Sequence, residues 1–176
     1  MKGPGSALYG SEAMGGIINV ITKDPVLAPL VAADVMGSSW GELNADVGVR
    51  IGKKKVNDLL GVNLFHYGSP RDENHDGFTD VTLQERVSVF NKVALRRPER
   101  KVASLAVRYV YEDRWGGQME WTPAFAGGDS LYGETIRTGR WEAIGQYQLP
   151  LPGTIIVQVS AIGHQQRSFY GTTRYD

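Results

Sequence analysis

The stretch Val87-Ser-Val-Phe-Asn-Lys-Val-Ala-Leu95, with Ala103-Ser-Leu-Ala-Val-Arg-Tyr-Val-Tyr111 shortly after it, decides the fold. In the first, Val87, Val89, Asn91, Val93 and Leu95 alternate with Arg86, Ser88, Lys92 and Arg96. In the second, Ala103, Leu105, Val107, Tyr109 and Tyr111 alternate with Ser104, Arg108 and Glu112. Successive side chains of a β-strand point to opposite faces, so a period of two over nine or ten residues predicts a strand with one apolar and one polar face.

The same period recurs on both sides. Ala45, Val47, Val49 and Ile51 oppose Asn44, Asp46 and Arg50; Trp141, Ala143, Gly145, Tyr147 and Leu149 oppose Arg140, Glu142, Gln146 and Gln148. Towards the end, Ile155, Val157, Val159, Ala161 and Gly163 oppose Gln158, Ser160, His164 and Gln166. The pattern predicts about seven strands, over 31–38, 43–52, 57–68, 83–97, 101–113, 138–149 and 154–169. The last segment is expected to run to Asp176 without a closing partner. Short connections lie around Gly52–Lys55, Arg97–Arg100 and Pro150–Gly153; long ones lie around Ser69–Val81 and Trp115–Thr138, with a shorter one near Ser38–Glu42. Short turns at one end and long loops at the other are the layout of a transmembrane β-barrel. Trp40, Tyr67, Tyr109, Tyr111, Trp115, Trp141 and Tyr147 lie near strand ends, as in an interfacial girdle, although such residues also favour strands in general.

Composition agrees with that layout. The 176 residues carry 19 basic and 19 acidic side chains, and this zero balance gives no reason to expect nucleic acid as a partner. Hydrophobic residues make up 41% and the mean hydropathy is −0.26, both too low for helical membrane spans. A barrel, in which only every second residue meets lipid, escapes that test. The absence of cysteine excludes disulfides, zinc–thiolate sites and a cysteine nucleophile in this stretch. Met1-Lys2 leads directly into Gly3-Pro4-Gly5 with no apolar leader, so an exported barrel is expected to be a piece of a longer chain.

Residues 1–25 differ in texture. Gly3, Gly5, Gly10, Gly15 and Gly16 precede the β-branched run Ile17-Ile-Asn-Val-Ile-Thr22, which should be a short buried strand ended by Asp24-Pro25. Gly3-Pro-Gly-Ser-Ala-Leu-Tyr-Gly-Ser-Glu-Ala-Met-Gly-Gly-Ile-Ile-Asn-Val-Ile-Thr22 closely resembles the signature at the C-terminal end of the plug of TonB-dependent outer-membrane receptors. Gly3, Pro4, Gly5, Ser6, Tyr9, Gly10, Gly15, Gly16 and Asn19 carry the match. The later segments look like the opening barrel strands of the same family, nearest its vitamin B12, colicin and ferric-siderophore branch. Asp76-Gly-Phe-Thr-Asp80, Tyr111-Glu-Asp-Arg-Trp-Gly-Gly117 and Gly145-Gln-Tyr-Gln-Leu-Pro150 are similar to Bacteroidetes members in particular.

The resemblance implies an all-β fold: the end of a plug over residues 1–25, then part of an antiparallel transmembrane barrel of roughly 22 strands over residues 26–176. It further implies a Gram-negative outer-membrane location, contact with outer-membrane lipid, and uptake of a scarce small nutrient such as a metal chelate. Energy would come from the TonB–ExbB–ExbD complex, whose docking box is absent here. Two rivals stand beside it: a receptor of the same fold paired with a surface lipoprotein, and a soluble calcium-binding β-module.

Two candidate sites follow. Asp72, Asn74 and Asp76, then Gly77, Phe78 and Asp80, match the opening of a calcium loop, with alternate oxygens converging on a hard cation and a glycine for the sharp turn. The twelfth position is Leu83 in place of a bidentate glutamate; a polar loop rich in turn formers is the plain alternative. Trp115, Trp121, Phe125 and Tyr132, in the longest loop, are candidates for ligand contact or for packing against neighbouring loops. His66, His75 and His164 lack ligand spacing, and no nucleophile motif occurs, so no enzyme activity is expected. The glycines at the start lack the GK[ST] ending of a phosphate loop. The basic clusters around Lys53–Lys55 and Arg96–Lys101 read as solvated turn charge.

Overall fold

A computed structural model describes residues 22–52, 55–97 and 101–176. Eight antiparallel strands form one open sheet: β1 (Val31–Gly37), β2 (Glu42–Gly52), β3 (Val56–Tyr67), β4 (Leu83–Leu95), β5 (Ala103–Gly117), β6 (Gly133–Gln148), β7 (Ile156–Tyr170) and β8 (Thr173–Tyr175). Their spatial order is their order in the chain, an uninterrupted meander. The helical content of the described residues is a single 3-10 turn, Pro123–Phe125, and no helix among them is long and apolar enough to cross a membrane. The glycine-rich stretch through residue 21, with the plug signature and the strand expected from Ile17, and the turn residues 53–54 and 98–100 lie outside the described residues.

The alternation becomes two faces. Register places Val47, Val62, Val89, Tyr109 and Trp141 in one row across β2–β6, and Val49, Leu60, Val107, Ala143 and Ala161 in the next. This face is uncovered: Val47, Leu64, Leu105, Tyr109 and Trp141 are each about half exposed. Asn91 and Asp58 break it in the middle and satisfy each other, since Asn91 Nδ2 donates to Asp58 Oδ1 at 2.7 Å, and at the end of the long connections it gives way to the row His66, Glu85, Asp113, Arg137 and Arg167.

The opposite face is a polar lattice. Asn63 Nδ2 donates to Asn44 Oδ1 and Asp46 Oδ1. Glu112 gathers Arg114 at 3.0 Å, Arg86 at 3.9 Å and the amide of Gln84 at 2.7 Å. Arg140 pairs with Glu142 on β6 at 2.6 Å. The segment before β1 lies on this same face. Asp24 opens a turn whose carbonyl accepts from the Leu27 and Ala28 amides, Pro25 is fully buried, and Arg50 donates to the Val26 carbonyl. Lys92 Nζ reaches Thr22 Oγ1 at 2.8 Å and the Lys23 carbonyl at 3.3 Å.

Three expectations change. The sheet has eight strands where about seven were expected, because Gly171, at φ +57, turns the chain so that Thr173–Tyr175 pairs back onto Ser168–Tyr170. Asp176 is likewise engaged, with its carboxylate paired to both Arg167 and Arg174. Thirdly, β5 and β6 run well into the stretch read as loop, Trp115–Thr138, which shrinks the connection to residues 118–132. Gly117 and Gly133, inside the stretch read as a connection, are paired face to face. A Cβ on Gly117 would lie 2.4 Å from the Gly133 Cα, so the pair works as a tight ladder rung that no larger residue fits.

Candidate functional site

The connections Ser38–Gly41, 68–82, 118–132 and Gly171–Thr172 all emerge at one end of the sheet, and the first three are tied into one pad. Phe78 and Gln118 form an isolated antiparallel bridge. Around it, the Thr79 amide donates to the Gly117 carbonyl at 2.8 Å and the Met119 amide to the Gly77 carbonyl at 2.9 Å. Thr79 Oγ1 accepts the Gly117 amide at 3.1 Å, and the Phe78 and Tyr132 rings meet at 6.5 Å. Arg71 reaches the other way: its guanidinium lies 4.7 Å over the Trp40 ring and donates to the Ser39 carbonyl. Such contacts between connections distant in sequence hold the surface at this end in one shape.

Several of the buried side chains lie at that end. Tyr67, Leu83, Trp121, Thr135 and Ser168 are nearly inaccessible, although the sheet below them is open on both faces. Trp121 rests on Gly133, where an added Cβ would come within 2.4 Å of the indole. Phe169 packs against Gly127, and the Tyr132 ring packs against Gly171.

The four aromatic candidates are therefore divided. Trp115 stands on β5 opposite Thr135, half-buried in the sheet. Trp121 is buried and serves packing. Phe125, in the 3-10 turn, and Tyr132 remain open to solvent. The Tyr132 hydroxyl donates to Glu134 Oε1 at 2.7 Å; that hydrogen bond, then desolvation and the carboxylate charge, push its ionisation above the ordinary tyrosine range. A shallow cavity of about 330 Å³ beneath this pad is lined by Phe78, Thr82, Arg114, Trp115, Tyr132 and Glu134 among others. Its mixture of rings, a guanidinium and a carboxylate suits a small ligand with both apolar and hydrogen-bonding parts. Arg114 was not singled out from the sequence, because only the β4–β5–β6 register brings it beside Glu134 and Thr82.

The residues 72–80 form a closed loop built on its own carboxylates. Asp72 accepts the amides of Asp76 and Gly77 at 3.1 and 2.9 Å, Asp76 accepts Phe78, and Asp80 accepts Glu73 at 2.7 Å. His75 and Gly77 both have positive φ. Asp72, Asn74 and Asp76 are hard oxygen donors of the calcium type. Among the described residues, however, no group of three or more His, Cys, Asp or Glu side chains is placed to hold a metal ion.

No family model matches the chain, and no solved structure matches it significantly.

Proposed function

We propose that this chain forms part of the wall of an outer-membrane β-barrel belonging to a TonB-dependent transporter, which takes up a scarce nutrient without altering it chemically. One observation carries the reading: the sheet is open, with an uncovered apolar face of Val47, Leu64, Val89, Leu105, Tyr109 and Trp141 backed by a face of ion pairs. In water such a face would demand a covering layer; against lipid it is already in its solvent. The apolar stretch from Val87 to Leu95 spans about 27 Å at roughly 3.4 Å per residue, or about 20 Å across a membrane at a tilt near 40°, close to the apolar band of such barrels.

On this reading the polar face lines the lumen, the pad of long connections faces outward, and the segment held by Lys92 and Arg50 enters from the lumen side. The plug-like glycine signature in residues 3–19 supports the transporter class. The partners are outer-membrane lipid, the nutrient, and the TonB–ExbB–ExbD complex acting on the full-length protein. Calcium in the 72–80 loop belongs to the same proposal, supported by its donor spacing and by Gly77 at φ +83. Calorimetric titration with millimolar calcium, and its loss in Asp76→Asn, is the check for that part.

The test of the whole is fractionation of the full-length gene product in a Gram-negative host. Recovery in the outer membrane, with a β-rich, heat-modifiable band, is the expected result. A monomer stable in detergent-free buffer would overturn the reading and leave a soluble β-module.

A further inference from the structure

Arg137 on β6 and Arg167 on β7 are direct cross-strand partners on the apolar face. Like charges placed directly opposite destabilise a sheet unless something neutralises them. Their carboxylate partners stand on the outer sides of the pair: Arg137 Nε donates to Asp113 Oδ2 at 2.9 Å, and Arg167 Nε donates to Asp176 Oδ1 at 3.1 Å. Each arginine thus makes its hydrogen bond through Nε, and among the described residues no protein acceptor takes its terminal nitrogens. Both side chains are about half exposed.

Directly below the pair is a groove of about 340 Å³, lined by Tyr109, Tyr111, Gly139 and Gln165. Gly139 leaves it open by contributing no side chain, and the Trp141 indole covers Gly163 beside it. The groove therefore passes from aromatic surface at one end to two guanidinium forks at the other. It lies where the apolar rows end and the row His66, Glu85, Asp113, Arg137, Arg167 begins. Guanidinium forks match phosphate oxygens in pairs, and tyrosines suit the junction of acyl chain and headgroup.

We propose that Arg137 and Arg167 clamp the phosphate of an anionic lipid headgroup, with the lipid's apolar part lying over Tyr109, Tyr111 and Gly139. The proposal rests on the membrane reading above and adds to it a specific lipid site on the barrel exterior. An anion between the two arginines removes the repulsion that the register imposes, and Asp113 and Asp176 anchor each guanidinium through its Nε.

The test uses the full-length protein in phosphatidylcholine vesicles with and without lipid A, reading bound lipid by native mass spectrometry. Insertion is scored separately by heat-modified mobility. Wild type is expected to retain lipid A about tenfold better than the Arg137→Gln, Arg167→Gln double variant, with Arg140→Gln, on the other face, unchanged. The Arg137→Lys, Arg167→Lys variant, keeping charge but not the fork, should fall between them. Equal retention by wild type and the glutamine variant, both inserted, overturns the clamp but leaves the membrane reading intact. Displacement of lipid A by inorganic phosphate at equal concentration also overturns it, in favour of a free-anion site. Failure of the wild type to insert at all overturns both.

Discussion

Lys92, on the polar face of β4, holds the hydroxyl of Thr22 at 2.8 Å across 70 residues of chain. The same ammonium reaches the carbonyls of Thr22 and Lys23, so one cation fastens the lead-in segment to the sheet. Lys92→Met keeps the aliphatic stem and removes the donor. Because the contact is exposed, about 1 kcal/mol is expected, equivalent to roughly fivefold faster limited proteolysis between residues 22 and 26. An unchanged rate would mean that Pro25 and Arg50 suffice to hold the segment.

The two faces predict opposite answers to the same substitution. Val89 lies mid-strand on the apolar face, and Ile144, itself half exposed, lies on the polar face of β6, toward the short-turn end. In a bilayer Val89→Arg should cost about 2–4 kcal/mol in folding titrations, while Ile144→Arg, near Glu142, should cost less than about 1 kcal/mol. In a water-soluble sheet the two would be alike, and that outcome would remove the membrane reading.

Trp121 is the keystone of the pad, with its indole seated on Gly133. Trp121→Ala should destabilise the loop end by about 3–5 kcal/mol. Hydrogen exchange should then lose protection at Thr79, Gly117 and Met119, whose amides bind across the two loops, and keep it in β2 and β3. Uniform loss through the sheet would show that the pad is not a separate unit.

Tyr132 offers a pH readout. Ionising its phenol breaks the hydrogen bond to Glu134 and sets two anions side by side, so its pKa is raised above 10.0. A raised folded-state pKa stabilises fully below the ordinary value, and that contribution is lost as pH climbs through the folded one. Absorbance titration should find one tyrosine ionising late, returning to the ordinary range in Glu134→Gln. An identical titration in the variant would contradict the contact.

Period-two alternation was enough to locate β1–β4 and β7 to within two residues, and β5 and β6 except for their ends at the long connection, because a sheet with one apolar and one polar face must write that difference into every second side chain. It failed where side chains do not report the medium. Thr173–Tyr175 is too short to show a period, and Gly116, Gly117 and Gly133 resemble turn residues until their pairing is known. Asn91 falls in register with Val89 and Val93 in the sequence, but its partner Asp58 lies 33 positions away and needs the β3–β4 register to be found. For the same reason the candidate aromatics were named without their sorting: nothing local distinguishes buried Trp121 from exposed Tyr132. The two arginines of the groove are 30 positions apart and become neighbours only through the β6–β7 register.

The strands lie side by side in the order in which they are made. A sheet wired this way can lengthen or shorten by whole hairpins without rethreading anything already laid down. Each hairpin brings one long connection and one short turn, so duplication of a gene segment adds sheet and loop surface together. The circumference of such an assembly, and the variety of what its outer end can grip, can therefore drift through ancestry while the pattern of pairing stays the same.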